Sequence, residues 1–178
     1  MIRTRPYFPS CLKISSRLVP WSGIFWEVYG LLNAKISLRP ITAETVRAVC
    51  ALEVHGEQQI FVASNAISIA EAYFDESAWF RAIYWDESLI GFVMLSEDHV
   101  QGEYYLWRFM IDKKYQGQGY GKKAIEAIIE HVKSRPGARE LTLSCVPGEG
   151  GPEDFYKKLG FQFTGEVDEG EKVYRLVF

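Results

Sequence analysis

Cysteine is scarce in this chain of 178 residues: only Cys11, Cys50 and Cys145 occur, at separations that match no metal-ligand spacing. An odd set this small closes no disulfide framework, which points away from the disulfide-stapled secreted class and toward a reducing cytoplasm. Histidine is as sparse, and His55, His99 and His131 are too scattered to form a metal set. An excess of positive charge is also missing, since 20 Lys and Arg face 23 Asp and Glu, a net charge of −3. Such a surface repels a phosphate backbone and argues against a general nucleic-acid binder, a local basic patch apart. Trp79, Trp85 and Trp107 lack the interleaved basic residues of a base-stacking platform. Long hydrophobic runs are absent as well. The apolar part of the N-terminal segment, LVPWSGIFWEVYGLL at 18–32, is too short to span a membrane and is broken by Pro20, Gly23 and Glu27.

What is present suffices for a core. Apolar residues make up 48% of the chain and charged residues 24%, the profile of a soluble globular domain. Charge is unevenly spread. Residues 1–35 carry five basic side chains against the single acid Glu27, which leaves a balance of −7 over 36–178. The basic, serine-bearing start loosely resembles a targeting peptide. The leading reading is a loosely attached extension or a start site placed too far upstream, with a helical element packed on the domain as the alternative. The core fold is expected to occupy residues 36–178.

Periodicity divides that core into strands and helices. ISLRPI at 36–41 alternates as a strand, and TAETVRAVCALEV follows with Thr42 as N-cap; Thr45 is too short to complete a capping box. SIAEAYFDE is a second short helix with Ser68 as its cap. Two apolar runs meeting at Asp86-Glu87 form an antiparallel hairpin, and 102–112 continues the meander. KKAIEAIIEHVKSR is amphipathic, with Ala124, Ile125, Ile128, Ile129 and Val132 on one stripe. ELTLSCV is a strand, PEDFYKKLGF a helix with Pro152 at its first position, and VYRLVF a last strand. The order predicts one α+β domain.

Between the third strand of the meander and the amphipathic helix lies Gln116-Gly117-Gln118-Gly119-Tyr120-Gly121. Glycines there let successive N–H groups converge on one point with a helix dipole behind them, a nest for phosphate. Rossmann spacing and the Walker-A Lys-Ser/Thr are both absent. A plain structural turn is the other reading of these glycines.

The run Gln116-x-x-Gly119-x-Gly121 resembles the acetyl-CoA signature of the GNAT N-acetyltransferases. The run Phe155-Tyr156-Lys157-Lys158-Leu159-Gly160-Phe161 resembles that family's second hallmark, with one helix and one strand between the two. The resemblance covers 36–178, and the stretch from Phe61 to Phe92 with WRFMID looks most like bacterial spermine/spermidine or diamine acetyltransferases. It implies the GNAT fold, a central, mostly antiparallel, splayed sheet flanked by helices, and transfer of acetyl from acetyl-CoA to a primary amine, without a metal.

The same resemblance assigns roles to residues. Pyrophosphate would rest on the backbone of Gln116, Gly117, Gln118, Gly119 and Gly121, with Lys122 beside it. Pantetheine would add like a strand to Phe109, Met110 and Ile111, the Ile111 N–H or a near neighbour serving the oxyanion. Ser144 and Cys145 would stand near the thioester, and Tyr156 would protonate the leaving thiolate. Tyr105 fills the position at which histone-type members carry a Glu. Glu103, on the same face by alternation, is the candidate base through water, a surface salt bridge being its other reading. Glu57, Asn65, Glu71 and Tyr73 belong to the segment that covers the acceptor groove in such proteins. Glu149 and Pro152 depart from the family's usual Asn and Ala. A small-molecule amine is the expected partner, with a homodimer pairing through the final strand. An aminoglycoside, an amino acid or a protein N-terminus are alternative acceptors, and a non-catalytic CoA-binding module is the alternative class.

Overall fold

The structure, a computed structural model, describes residues 35–178; the segment read above as an extension, with Cys11, lies outside the described residues. Seven strands form one sheet in the order β1-β2-β3-β4-β5-β7-β6. They are β1 Ile36–Arg39, β2 Ala78–Trp85, β3 Ser88–Asp98, β4 Glu103–Ile111, β5 Glu140–Cys145, β6 Gln162–Asp168 and β7 Glu171–Val177. All neighbours run antiparallel except β4 and β5. Four helices complete the α+β domain: α1 Val46–Cys50, α2 Asn65–Ala72, α3 Tyr120–Lys133 and α4 Glu153–Lys158.

The β2–β3 hairpin turns at Asp86-Glu87, with Asp86 at φ 50, the left-handed conformation a tight hairpin turn demands. Strand β3 is apolar on both sides because both are covered. Val93 and Leu95 pack with the α3 stripe of Ala124, Ile125, Ile128 and Val132, whereas Phe92 and Met94 pack with Val49 of α1. Burying each such aliphatic side chain stabilises the fold by about 1.5–3 kcal/mol.

Strand β4 carries the irregularity that shapes the site. Met94 pairs with Arg108 but Leu95 pairs with Leu106, so Trp107 is an extra residue, a β-bulge. The bulge reverses the strand's facing. Tyr104 and Leu106 before it, and Phe109 and Ile111 after it, all join the α3-side core, while Trp107 and Met110 join the opposite one. Toward β5, pairing is confined to Tyr105 with Thr142 and Leu106 with Leu143. Past Leu106 the two strands part.

Several elements differ from the sequence reading. Helix α2 is capped by Ser64, whose side chain accepts from the Ile67 N–H, while Ser68 is buried inside the helix and donates to the Ser64 carbonyl. The first helix starts later than Thr42, at Val46. Thr45 Oγ1 accepts the Thr42 N–H at 2.8 Å, the contact judged out of its reach. Pro152 precedes α4 as its N-cap. Strand β6 was not anticipated, because QFTGEVD carries Gly165 and acids instead of an apolar alternation. Its presence moves VYRLVF inward: β7 lies between β5 and β6, so the edge expected of the final strand belongs to β6.

Candidate active site

The divergence of β4 from β5 opens a cleft of about 890 Å³ among the described residues. Its floor is β4 from Tyr105 to Ile111, and its far wall is Ser144, Cys145 and α4 with Phe155 and Tyr156. The glycine turn and the loop 58–63 close its other sides.

At the glycine turn, Gly117 and Gly119 stand at φ 73 and 82, and Gly119 is the left-handed N-cap of α3 without a side-chain cap. A Cβ at either position meets nothing within 4 Å, so space lies open above the turn. The first-turn N–H groups of a 14-residue helix thus face a roomy, side-chain-free cradle, which fits a pyrophosphate. Gln116 Nε2 donates to the Ile111 carbonyl at 2.8 Å and to Gln58 at 2.9 Å, tying the turn to the end of β4. The buried Asp112 accepts the N–H groups of Glu53 and Lys114 and fixes the exit from the strand. Gly121 is different from the other two. It has no positive φ, and its Cβ position lies 3.4 Å from the Phe155 ring.

The polar backbone of β4 points usefully. The Asp112 N–H donates to Ile90 on β3, so the Ile111 carbonyl of the same peptide points away from β3, where Gln116 reaches it. Strand alternation sends the Ile111 N–H and the polar groups of Phe109 the same way, toward the cleft. Those of Met110 face β3 instead. That edge fits the peptide-like amides of a pantetheine arm, which can pair with it as an added strand.

Tyr156 is buried between Phe155 and Phe161, edge-on to both rings, and lines the cleft. Burial, then the neighbouring Cys145 and Tyr105, hold its phenol well above the ordinary range, so it stays protonated and able to donate. Burial, then the charges of Glu153 and Glu171, push the Cys145 thiol up to about 11. Cys145 is therefore a neutral thiol beside the cleft, unsuited to forming an acyl-cysteine intermediate.

The sequence-predicted residues are not all gathered there. Phe109, Met110, Ile111, Gln116, Gly117, Gly119, Gly121, Lys122 and Tyr156 line the cleft; Gln118 and Glu103 do not. Gln118 Nε2 bonds back to the Lys114 carbonyl. Glu103 is exposed at the start of β4, opposite Asp98. Asn65 is buried and donates to the Val49 carbonyl, Glu71 pairs with Arg108 at 3.3 Å, and Tyr73 is exposed. Glu171, at the head of β7, was missed. It stands in the cleft wall, brought there by a hairpin that no local pattern announces. No group of three or more His, Cys, Asp or Glu placed to hold a metal occurs among the described residues. Nor is any helix among them long and apolar enough to cross a membrane.

An open backbone cradle, a free strand edge and a buried phenol beyond it fit an acyltransferase that draws its acyl group from a coenzyme A thioester. Residues 45–161 match the Acetyltransferase (GNAT) family, and the chain belongs to that family. It is an acetyl-CoA-dependent N-acetyltransferase. It is 32% identical over 147 residues to a probable spermine N(1)-acetyltransferase of Bacillus subtilis subsp. natto (strain BEST195). It is 31% identical to the spermine/spermidine N(1)-acetyltransferase of Bacillus subtilis (strain 168) over the same length. Each match covers 78% of this chain and 95% of the relative. In fold it is similar to the PaiA N-acetyltransferase from Thermoplasma acidophilum, solved in complex with coenzyme A. That likeness has a TM-score of 0.63 and 17% identity, over 81% of this chain and 99% of the other.

Proposed function

We propose that this N-acetyltransferase takes a polyamine or diamine as its acceptor, with Tyr156 as the acid that protonates the leaving thiolate. Gln116, Gly117, Gly119, Gly121 and Lys122 hold the pyrophosphate, and Phe109 and Ile111 pair with pantetheine. The observation that carries the reading is the single cleft running from the glycine cradle, along the free edge of β4, to Tyr156. One end suits the coenzyme, and the other is where an amine must arrive. Two bacterial relatives named for spermine support the acceptor class. So does the charge: Arg108 is neutralised by Glu71, while Glu171 presents a carboxylate to a cationic guest.

Direct attack by the amine suits the site, since Cys145 is held neutral and the Ile111 N–H faces the forming oxyanion. We place the catalytic domain at 36–178 and the enzyme in the cytoplasm, where Cys50 and Cys145 remain free thiols. Coenzyme A release, measured with acetyl-CoA against a panel of amines, tests the acceptor class. Spermidine, spermine or diamines should turn over best. Preference for an aminoglycoside, an amino acid or a peptide N-terminus would replace the polyamine reading. Loss of turnover in a chain truncated before Ile36 would overturn the domain boundary.

A further inference from the structure

Among the described residues lining the cleft, Glu171 is the one carboxylate. Its Oε2 accepts the hydroxyl of Ser144 on β5, and Ser144 Oγ lies 2.6 Å from the hydroxyl of Tyr105 on β4. All three side chains line the same cleft as Tyr156. A carboxylate has no hydrogen to give, so Ser144 commits its single hydrogen to Glu171. Tyr105 must then donate to Ser144. Both hydrogens point down the chain toward Glu171, and the Tyr105 oxygen keeps its lone pairs for a donor in the cleft. An ammonium, with N–H donors and a positive charge, is such a donor.

We infer that Tyr105, Ser144 and Glu171 form a proton relay that deprotonates the acceptor ammonium, an inference that rests on the amine-acceptor reading above. One ammonium proton passes to the Tyr105 oxygen as the Tyr105 proton passes to Ser144 and the Ser144 proton to Glu171. The electron pair left on nitrogen forms the bond to the acyl carbon. When the adduct collapses, the carbon–sulfur pair leaves with sulfur, which takes the Tyr156 proton. The second proton of the acylated nitrogen restores the phenol, and Glu171 returns its proton to solvent. One amide, one thiol and one released proton result. Tyr105 is the catalytic residue of this relay, while Ser144 and Glu171 act through it.

Other charges around the relay are committed or distant from its path. Asp168 stands opposite Glu171 in the β6–β7 register, and Cys145 on β5 is a neutral thiol. Lys172, next in the chain, is held by Glu153 at 3.2 Å. Across the cleft, Arg108 pairs with Glu71 at 3.3 Å and Lys122 lies 3.8 Å from Glu126.

The test is the pH profile of kcat/KM for the amine, in the full chain with saturating acetyl-CoA, for wild type, Glu171→Gln, Ser144→Ala and Tyr105→Phe. The proton stays within the wild-type complex, so its profile should be flat from pH ~6.5 up to the amine range, near pH ~10. In the variants the proton must leave to solvent first, and the rate should rise about tenfold per pH unit across that interval. At pH ~6.5 the variants should be slower by about 10²–10⁴-fold, with the gap closing toward high pH and coenzyme A affinity unchanged. Profiles parallel to wild type at every pH, however much slowed, would overturn the relay and leave these residues a packing role. If Glu171→Gln melts at a much lower temperature, Ser144→Ala decides alone, because it removes only the middle hydroxyl. Turnover with other primary amines but not polyamines counts against the acceptor class. The same profiles, run with those amines, then decide the relay by the same criterion.

Discussion

A Cβ at position 91 would collide with the Met110 carbonyl oxygen, so β3 and β4 approach each other at a distance that only glycine allows. Because β4 also supplies Phe109 and Ile111 to the cleft, this approach couples the core to the edge proposed to hold the coenzyme. Gly91→Ala should push β4 outward at a cost of about 1–3 kcal/mol. Melting temperature should fall by several degrees, and coenzyme A affinity should fall with it. A variant with wild-type melting and affinity would show that the contact relaxes without moving the edge.

Gly119→Val should weaken coenzyme A binding tenfold or more while leaving a folded protein. Its φ of 82 strains any branched residue, and the side chain would project into the open space of the cradle. Gly121→Ala should act differently, because its methyl group meets the Phe155 ring and not the cradle. Affinity should change less than in Gly119→Val. Calorimetric titration with coenzyme A separates the two, and unchanged affinity in Gly119→Val would remove the turn from the binding site.

Glu153 links α4 to β7, accepting from Lys157 at 2.6 Å, Tyr174 at 2.5 Å and Lys172 at 3.2 Å. Those bonds, Lys157 first, hold its carboxyl down from the usual 4.5 to about 2. A depressed carboxylate stabilises the fold above its unfolded pKa, and that contribution is lost as pH falls through the folded value. The melting-temperature gap between wild type and Glu153→Gln should therefore be constant above pH ~5 and shrink between pH 4.5 and about 2. A gap independent of pH would mean that Glu153 contributes by shape alone.

His131 stacks on Trp79 at 3.8 Å and lies 2.7 Å from one oxygen of the buried Glu97 carboxylate, whose other oxygen His99 and Arg135 approach. Removing the ring in His131→Ala leaves that carboxylate short of a partner. The loss should be about 1–3 kcal/mol, read by chemical denaturation, with turnover per folded molecule unchanged. A neutral result would show that Arg135 and His99 satisfy Glu97 on their own.

What was legible in the sequence is what depends on local pattern. The α3 stripe, the Asp86-Glu87 turn and the glycine turn each rest on residues close together in the chain, and each was read from them. Boundaries fared less well where two candidates compete: Ser64 and Ser68 both suit an N-cap, and only burial of the second decides. The bulge at Trp107 left no mark in the sequence, since apart from Arg108 the run from Tyr104 to Ile111 is apolar or aromatic in either register. Alternation therefore linked Glu103 to Tyr105 correctly in parity, while saying nothing of where the cleft begins. Glu171 and Ser144 meet Tyr105 only because β7 pairs with β5 and β5 runs beside β4, a set of contacts between distant segments.

The most direct test of the account is Tyr156→Phe, with steady-state coenzyme A release from acetyl-CoA and spermidine measured beside a calorimetric titration of coenzyme A. The ring remains to pack against Phe155 and Phe161, so fold and affinity should hold. Only the proton for the leaving thiolate is lost, and kcat should fall by about 10²–10⁴-fold. The low end of that range is within the account, because a thiolate of pKa ~8.5 can leave unprotonated. Wild-type turnover in the Phe variant would contradict it, making Tyr156 a core residue and placing the acid elsewhere.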